Sequence, residues 1–155
     1  MRNMGKIVLK TNRANPVMHG HPWIYSGAIA STQVAAPGDL VEVFGDKGDF
    51  LGVGYHNPNS QIAVRMLVFA FEQGTYFLKS EEDVPGLIAR RILKAAECRQ
   101  RQGLPSAMTD AFRLVNSEGD GLPGVNIDMY GRTAVVQFTT LGLKQRQEAV
   151  IAGLL

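Results

Sequence analysis

The sequence holds one cysteine, one tryptophan and three histidines in 155 residues. A single cysteine, Cys98, excludes an internal disulfide framework and any zinc site built from several thiolates. No apolar run approaches the roughly 18–20 residues of a membrane-spanning helix. The opening Met1-Arg2-Asn3-Met4-Gly5-Lys6 leads into a short alternating stretch and not into the apolar core of a signal peptide. Acidic residues are missing from the first 38 positions, the first being Asp39. Apolar residues make up 45% and the net charge is only +2, which excludes disorder as the main description. What remains is a soluble protein, expected in the cytoplasm, of one domain or two small ones.

The charge that is present lies unevenly. Residues 1–70 carry six Lys/Arg against four Asp/Glu, whereas residues 71–155 carry ten against ten. Arg2, Lys6, Lys10 and Arg13, with His19 and His21, fill the acid-free opening. Clustered cations gain from counterion release at phosphates, so the opening suits nucleic acid; short basic tracts are also common as plain solvated surface.

Residues 5–10 alternate as a first strand, and 12–22 form a loop broken by Asn15-Pro16 and His21-Pro22. Trp23-Ile24-Tyr25 is a short apolar run, and Ser26 to Ile29 turns out of it. Pro37-Gly38-Asp39 predicts a turn, 40–44 a strand, Gly45 to Asp49 a hairpin, 50–55 the returning strand, and Asn57 to Ser60 another turn before a strand at 61–69. Closely spaced short strands indicate a small barrel or sandwich. The texture changes near Gly74. Ser80-Glu81-Glu82-Asp83 is a helix-capping signal, and a helix follows over 84–102, stopped by Gly103-Leu104-Pro105. Its apolar face holds Val84, Ile88, Ile92, Ala95 and Ala96; Arg99 falls on that side, where a charge needs a partner or a wet edge. Strands follow at 111–117, 123–129 and 133–139. A final amphipathic helix carries Leu143, Val150, Ile151 and Leu154 at helical spacing, and its apolar end is compatible with a homodimer.

Candidate chemistry is sparse. His19-Gly20-His21 lacks a third ligand at a defined spacing, so no metal is assigned. Gly52-Val53-Gly54 has Asn57 where a dinucleotide fingerprint needs glycine, and a strand follows instead of a helix. No glycine loop leads into a helix, so no cofactor-binding residues are assigned either. Cys98, on a helix without a neighbouring histidine, reads as packing, and no catalytic residue is assigned. The segment Arg113-Leu114-Val115-Asn116-Ser117-Glu118-Gly119-Asp120-Gly121-Leu122-Pro123-Gly124 is the most unusual. Glu118 and Asp120 suit an acid/base pair, a pair that orients a bound base, or a hairpin loop that caps its own backbone. Trp23, Tyr25 and Tyr55 interleave with His21 and Arg65, as aromatic rings do where unpaired bases stack; a sole tryptophan in a small barrel more often belongs to the core.

Four segments resemble one family. His21-Pro22-Trp23-Ile24-Tyr25-Ser26-Gly27-Ala28-Ile29, then Phe50-Leu51-Gly52-x-Gly54-Tyr55-x-Asn57-Pro58-x-Ser60-x-Ile62-x-x-Arg65, then Arg91-Ile92-x-x-Ala95-x-x-x-Arg99, and lastly Arg113 to Gly124 followed by Asp128-x-Tyr130-Gly131, are similar to the PUA-domain class of bacterial large-subunit ribosomal RNA methyltransferases. Met129 departs from the pattern, which has a basic residue before the tyrosine, and gives no phosphate grip there.

The resemblance implies an α+β chain: a PUA-like RNA-binding β-barrel over 1–73, a central α+β domain over 74–142, and at 143–155 the start of a helix leading to a Rossmann-like methyltransferase domain that this chain lacks. In that family the third domain binds S-adenosylmethionine and carries the cysteine for cytosine C5 methylation. The chain is therefore expected to be the RNA-handling fragment, inactive alone, with large-subunit ribosomal RNA as partner and no membrane. Lys6, Lys10, Arg13, His21, Trp23, Tyr55 and Arg65 become candidate RNA contacts. Arg113, Asn116, Glu118, Asp120 and Asp128 become candidate cleft residues that orient RNA. A stand-alone PUA-type RNA-binding module without catalysis is the alternative, and a platform for a protein partner is the third reading.

Overall fold

The computed structural model describes residues 4–33, 36–72, 74–75 and 78–155. Arg2 and the boundary expected at residue 73 lie outside them. The chain divides into two compact units, Met1–Val84 and Pro85–Leu155, a boundary ten residues beyond the change of texture read near Gly74.

The first unit is a six-stranded sheet. Its strands are β1 (Gly5–Leu9), β2 (Trp23–Tyr25), β3 (Ile29–Gln33), β4 (Leu40–Phe44), β5 (Phe50–His56) and β6 (Ile62–Phe69), in the spatial order β2-β6-β5-β4-β1-β3. The β1–β4 pair is parallel; the other four pairs are antiparallel. The two outermost strands, β2 and β3, are consecutive in sequence, joined only by the single turn Ser26–Ala28. Four residue steps span no more than about 14 Å, so the sheet must curl until its edges nearly meet. All four antiparallel ladders carry an irregularity in register, and bulges supply the extra twist that such curling needs. Ile7, Leu9, Val17, Ile24, Val41, Val43, Leu51, Val64 and Met66 fill the inside as one buried cluster.

Two elements of this unit differ from the sequence reading. The loop over 12–22 contains a helical turn, α1 (Asn15–Met18), with Pro16 in its first positions, where proline's fixed φ and missing N–H cost nothing. Val17 plugs into the core from it. Strand β3 was not expected, because four of its five residues are exposed and no alternation marks it; pairing with β1 alone makes it a strand.

His56, at the end of β5, is buried, and its Nδ1 has no hydrogen-bond partner. Burial holds its pKa below the ordinary 6.5, because the charged imidazolium loses its water. Below pH 6.5 the unfolded chain therefore binds a proton that the folded barrel refuses. Stability is fully present above that value and falls as the pH drops toward the folded-state pKa. Urea unfolding followed by Trp23 fluorescence is expected to show a lower midpoint at pH 5.5 than at pH 7.5, and His56→Gln should flatten the difference. An unchanged pH difference in the variant would assign the effect elsewhere.

The second unit is built on α2 (Val84–Arg101), entered through a capping box between Ser80 and Asp83. Hydrogen bonds from the Lys79 and Ser80 backbone hold the Asp83 carboxyl below the usual carboxylate range. Val84, Leu87, Ile88, Ile92 and Ala95 are buried, whereas Ala96 is only half-buried. Gly103, at positive φ, ends the helix, and the Leu104 amide reaches back to the Arg99 carbonyl. Strands β7 (Ala111–Asn116), β8 (Val125–Tyr130) and β9 (Thr133–Phe138) form an antiparallel sheet in that order. The last expected helix is two short ones, α3 (Leu141–Lys144) and α4 (Gln147–Ala152). The break between them shifts the phase: Leu143 and Val150 are buried, but Ile151 turns out half exposed. Residues 143–155 belong to the second unit, and a Cβ on Gly153 would sit 3.1 Å from Ile92. No helix of the described residues is long and apolar enough to cross a membrane.

Candidate nucleic-acid interface

Five of the seven candidate RNA contacts cluster around the edge strand β2. The His21 Nδ1 accepts the Trp23 backbone amide at 3.2 Å, and the two rings meet edge to face at 6.1 Å. Trp23 pairs across β6 with Arg65, whose guanidinium lies 5.3 Å from the indole centroid, within cation–π range. Beside them Arg13, Pro16, Val17, His21, Trp23, Ile24, Tyr25, Gly27 and Ala28 line a cavity of about 390 Å³. Lys10 donates from Nζ to the Gly27 carbonyl at 2.9 Å, which fixes its ammonium next to a lining residue. Among the described residues no carboxylate lines the cavity.

Two candidates sit elsewhere in the barrel. Lys6 lies 4.4 Å over the Phe44 ring and pairs in register with Glu42, so its charge already has local company. Tyr55 is in register with Arg65 but is only 3% exposed. It stands on a central strand nearly all of whose residues are buried, and its ring offers no open stacking surface; the expectation of an exposed aromatic is corrected on that ground. Tyr25, which is 49% exposed, supplies that surface instead. The sequence signal for it was the spacing Trp23-x-Tyr25 on a short strand.

In the second unit the distinctive segment forms the β7–β8 connection. Ser117 and Gly121 both adopt positive φ. Asp120 accepts the Asn116 backbone amide at 2.6 Å and pairs with the Arg99 guanidinium at 2.5 Å. That is the partner which the apolar-side arginine required. Arg99 also reaches the Arg113 carbonyl, and the buried Arg91, unforeseen from the sequence, donates to the Gly121 carbonyl. Glu118 accepts from the Ser117 hydroxyl, which in turn accepts the Gly124 amide. Asp120 thus caps the backbone of its own turn, whereas the bond of Glu118 is to a side-chain hydroxyl. Arg113 and Asp128 face each other across β7 and β8 in a two-bond fork at 2.8 and 2.9 Å. That hydrogen-bonded pairing raises the guanidinium pKa and lowers the carboxyl's. Asn116 is exposed and in register with Asn126, whose Oδ1 is buried without a partner.

Comparison with known proteins bears on these features. Residues 7–69 match the PUA-like domain family. The chain is 37% identical over 148 residues to ribosomal RNA large subunit methyltransferase I of Alteromonas mediterranea, covering 94% of this chain and 35% of that one. It is 31% identical over 154 residues to the Shigella dysenteriae protein of that name, covering 96% and 35%. Among solved structures, a Streptococcus mutans protein assigned as a SAM-dependent methyltransferase superposes with a TM-score of 0.77 at 17% identity, over 96% of this chain and 36% of that one. The chain thus spans about a third of the length of the curated relatives it matches. Its fold is α+β, with a PUA-like curled sheet over 7–69 ahead of a small α+β unit, and it is homologous to the large-subunit ribosomal RNA methyltransferases over that third of their length.

Proposed function

We propose that this chain is the RNA-binding part of a SAM-dependent methyltransferase of large-subunit ribosomal RNA, one that forms 5-methylcytosine when complete. The observation that carries the reading is a cavity that no carboxylate lines among the described residues, with Arg13, His21, Trp23 and Tyr25 around it and Lys10 and Arg65 held beside it on Gly27 and Trp23. Cations give phosphate affinity and rings accept bases, which is the combination that RNA recognition requires. A cytoplasmic site of action follows from a ribosomal substrate.

The residues present do not fit S-adenosylmethionine. α2 is the only helix of more than two turns among the described residues, and its entry is occupied by Glu81, Glu82 and Asp83 instead of a glycine-rich loop after a strand. The cofactor belongs to the part of such a protein that this chain does not span, and no methyl transfer is assigned to these residues. Arg113, Asn116, Glu118, Asp120 and Asp128 then hold the central unit in shape or orient RNA.

Calorimetric titration tests both halves. The 155-residue chain is expected to bind a large-subunit ribosomal RNA transcript and to give no heat with S-adenosylmethionine. Micromolar cofactor binding, or no RNA binding at low salt, would overturn the reading.

A further inference from the structure

We propose that Met108 is a reversible oxidation site, where a peroxide turns the thioether into a sulfoxide and a methionine sulfoxide reductase restores it. The inference stands apart from the RNA-binding reading. Of the six methionines, Met1 lies outside the described residues. Met66 is 2% exposed and packs against Gly52, where an added Cβ would lie 2.8 Å from its Cε. Met4 and Met129 are half-buried, Met18 is 57% exposed, and Met108 is 94% exposed. Local bonding sets that last position. Gly103, at positive φ, ends α2, and the chain turns back before β7 begins at Ala111. The Ser106 amide donates to the Thr109 carbonyl at 2.8 Å, and the Ser106 hydroxyl accepts the Met108 and Thr109 amides, both at 3.1 Å. The Thr109 hydroxyl ties the end of the turn to Ala111. Backbone and two hydroxyls therefore hold the turn, and the Met108 side chain stands in solvent at its tip.

The chemistry needs approach to sulfur and little else. A lone pair on the Met108 Sδ attacks one oxygen of hydrogen peroxide, and the O–O bond breaks. The departing hydroxide takes the proton from the transferred oxygen, which leaves a sulfoxide and one water. Sulfur loses two electrons and the peroxide gains them. In the reverse direction a dithiol reductase removes the oxygen as water and becomes a disulfide. That step requires the whole side chain to enter another protein's pocket. A side chain free on nearly all sides can do so while the chain stays folded, whereas Met66 would first have to leave the barrel core. The consequence for stability also differs between the two sites. A sulfoxide is polar, so it disrupts a packed core, but at the tip it replaces a group that already faces water.

Timed oxidation of the 155-residue chain with hydrogen peroxide, read by peptide mass mapping, tests the claim. Cleavage after Lys and Arg puts Met18, Met66, Met108 and Met129 on four separate peptides, and Cys98 on a fifth. Met108 is expected to gain its oxygen first, ahead of Met18 by about twofold, in line with exposed area. It should lead Met66 by roughly 100-fold or more, because that thioether waits for a core strand to open. In unfolding urea the four rates should converge. The chain oxidised at Met108 should keep its urea midpoint. Reductases for both sulfoxide epimers, with dithiothreitol, should then return Met108 to the thioether in the folded chain. Met108→Leu should abolish the first oxygen gain and leave the Met18 rate unchanged. Oxidation of Met18 or Met129 ahead of Met108, equal rates for Met108 and Met66 in the folded chain, or a Met108 sulfoxide that the reductases restore only after unfolding would overturn the proposal.

Discussion

Gly54→Ala is expected to cost the barrel more than about 4 kcal/mol, a loss seen only when packing or backbone geometry is violated outright. An added Cβ would lie 2.4 Å from the Arg65 carbonyl and 2.9 Å from Val64 Cγ1. The nearer of these is backbone, so it cannot swing aside; β6 itself would have to move away from β5. That displacement strikes the site as well as the fold, because Arg65 leaves Trp23 when β6 shifts. Gly27→Ala is the control, expected to stay within about 0.5 kcal/mol. Urea unfolding by Trp23 fluorescence compares them, and similar midpoints for the two variants would contradict the close approach of β5 and β6.

The second large effect belongs to the other unit. Asp120→Ala removes the carboxylate that pairs with Arg99 and caps the Asn116 amide. The two side chains are only 14% and 13% exposed, so a cation is left with little water to replace its partner. Breaking a well-buried pair costs about 3–5 kcal/mol; with the residual exposure discounted, roughly 2–3 kcal/mol is expected. Asp120→Asn keeps an acceptor for the amide and should lose about half as much. Circular dichroism at 222 nm, dominated by α2, reads the transition. Adding Arg99→Met to Asp120→Ala should recover part of the loss, since no cation then remains unpaired. If the single variants are simply additive, the pair contributes nothing and the turn is held by other bonds.

Much of the barrel was legible because its turns are written in Pro, Gly, Asn and Asp. Asn57, for instance, accepts the Asn59 amide in the predicted turn, and Gly45 and Asp49 close the predicted hairpin. What escaped was decided by topology. β3 carries no alternation and exists through its partner β1. Tyr55 looked like a surface ring beside basic residues, but pairing put it on a central strand that is buried on both faces. The cavity's lining comes from one stretch, Arg13 to Ala28, part of which the sequence marked as distinctive, but the hollow itself was not legible because it depends on how α1 and β2 fold against each other. In the second unit helical phase put Arg99 on the apolar side, where it needed a partner or a wet edge, whereas only the family resemblance marked Arg91, whose buried guanidinium donates to a carbonyl 30 residues away.

Salt dependence of RNA affinity is the most direct test of the central claim, that cations arranged around β2 hold an RNA strand by its phosphates. Lys10, Arg13 and Arg65 provide three contacts, and each neutralised phosphate of a single strand contributes a slope of about −0.7. Raising salt from about 50 to 200 mM should then weaken binding roughly 20-fold, and neutralising Lys10 and Arg13 together should lower the slope by about 1.4. An affinity that stays flat over that range, or a slope that the double variant leaves unchanged, would contradict the account.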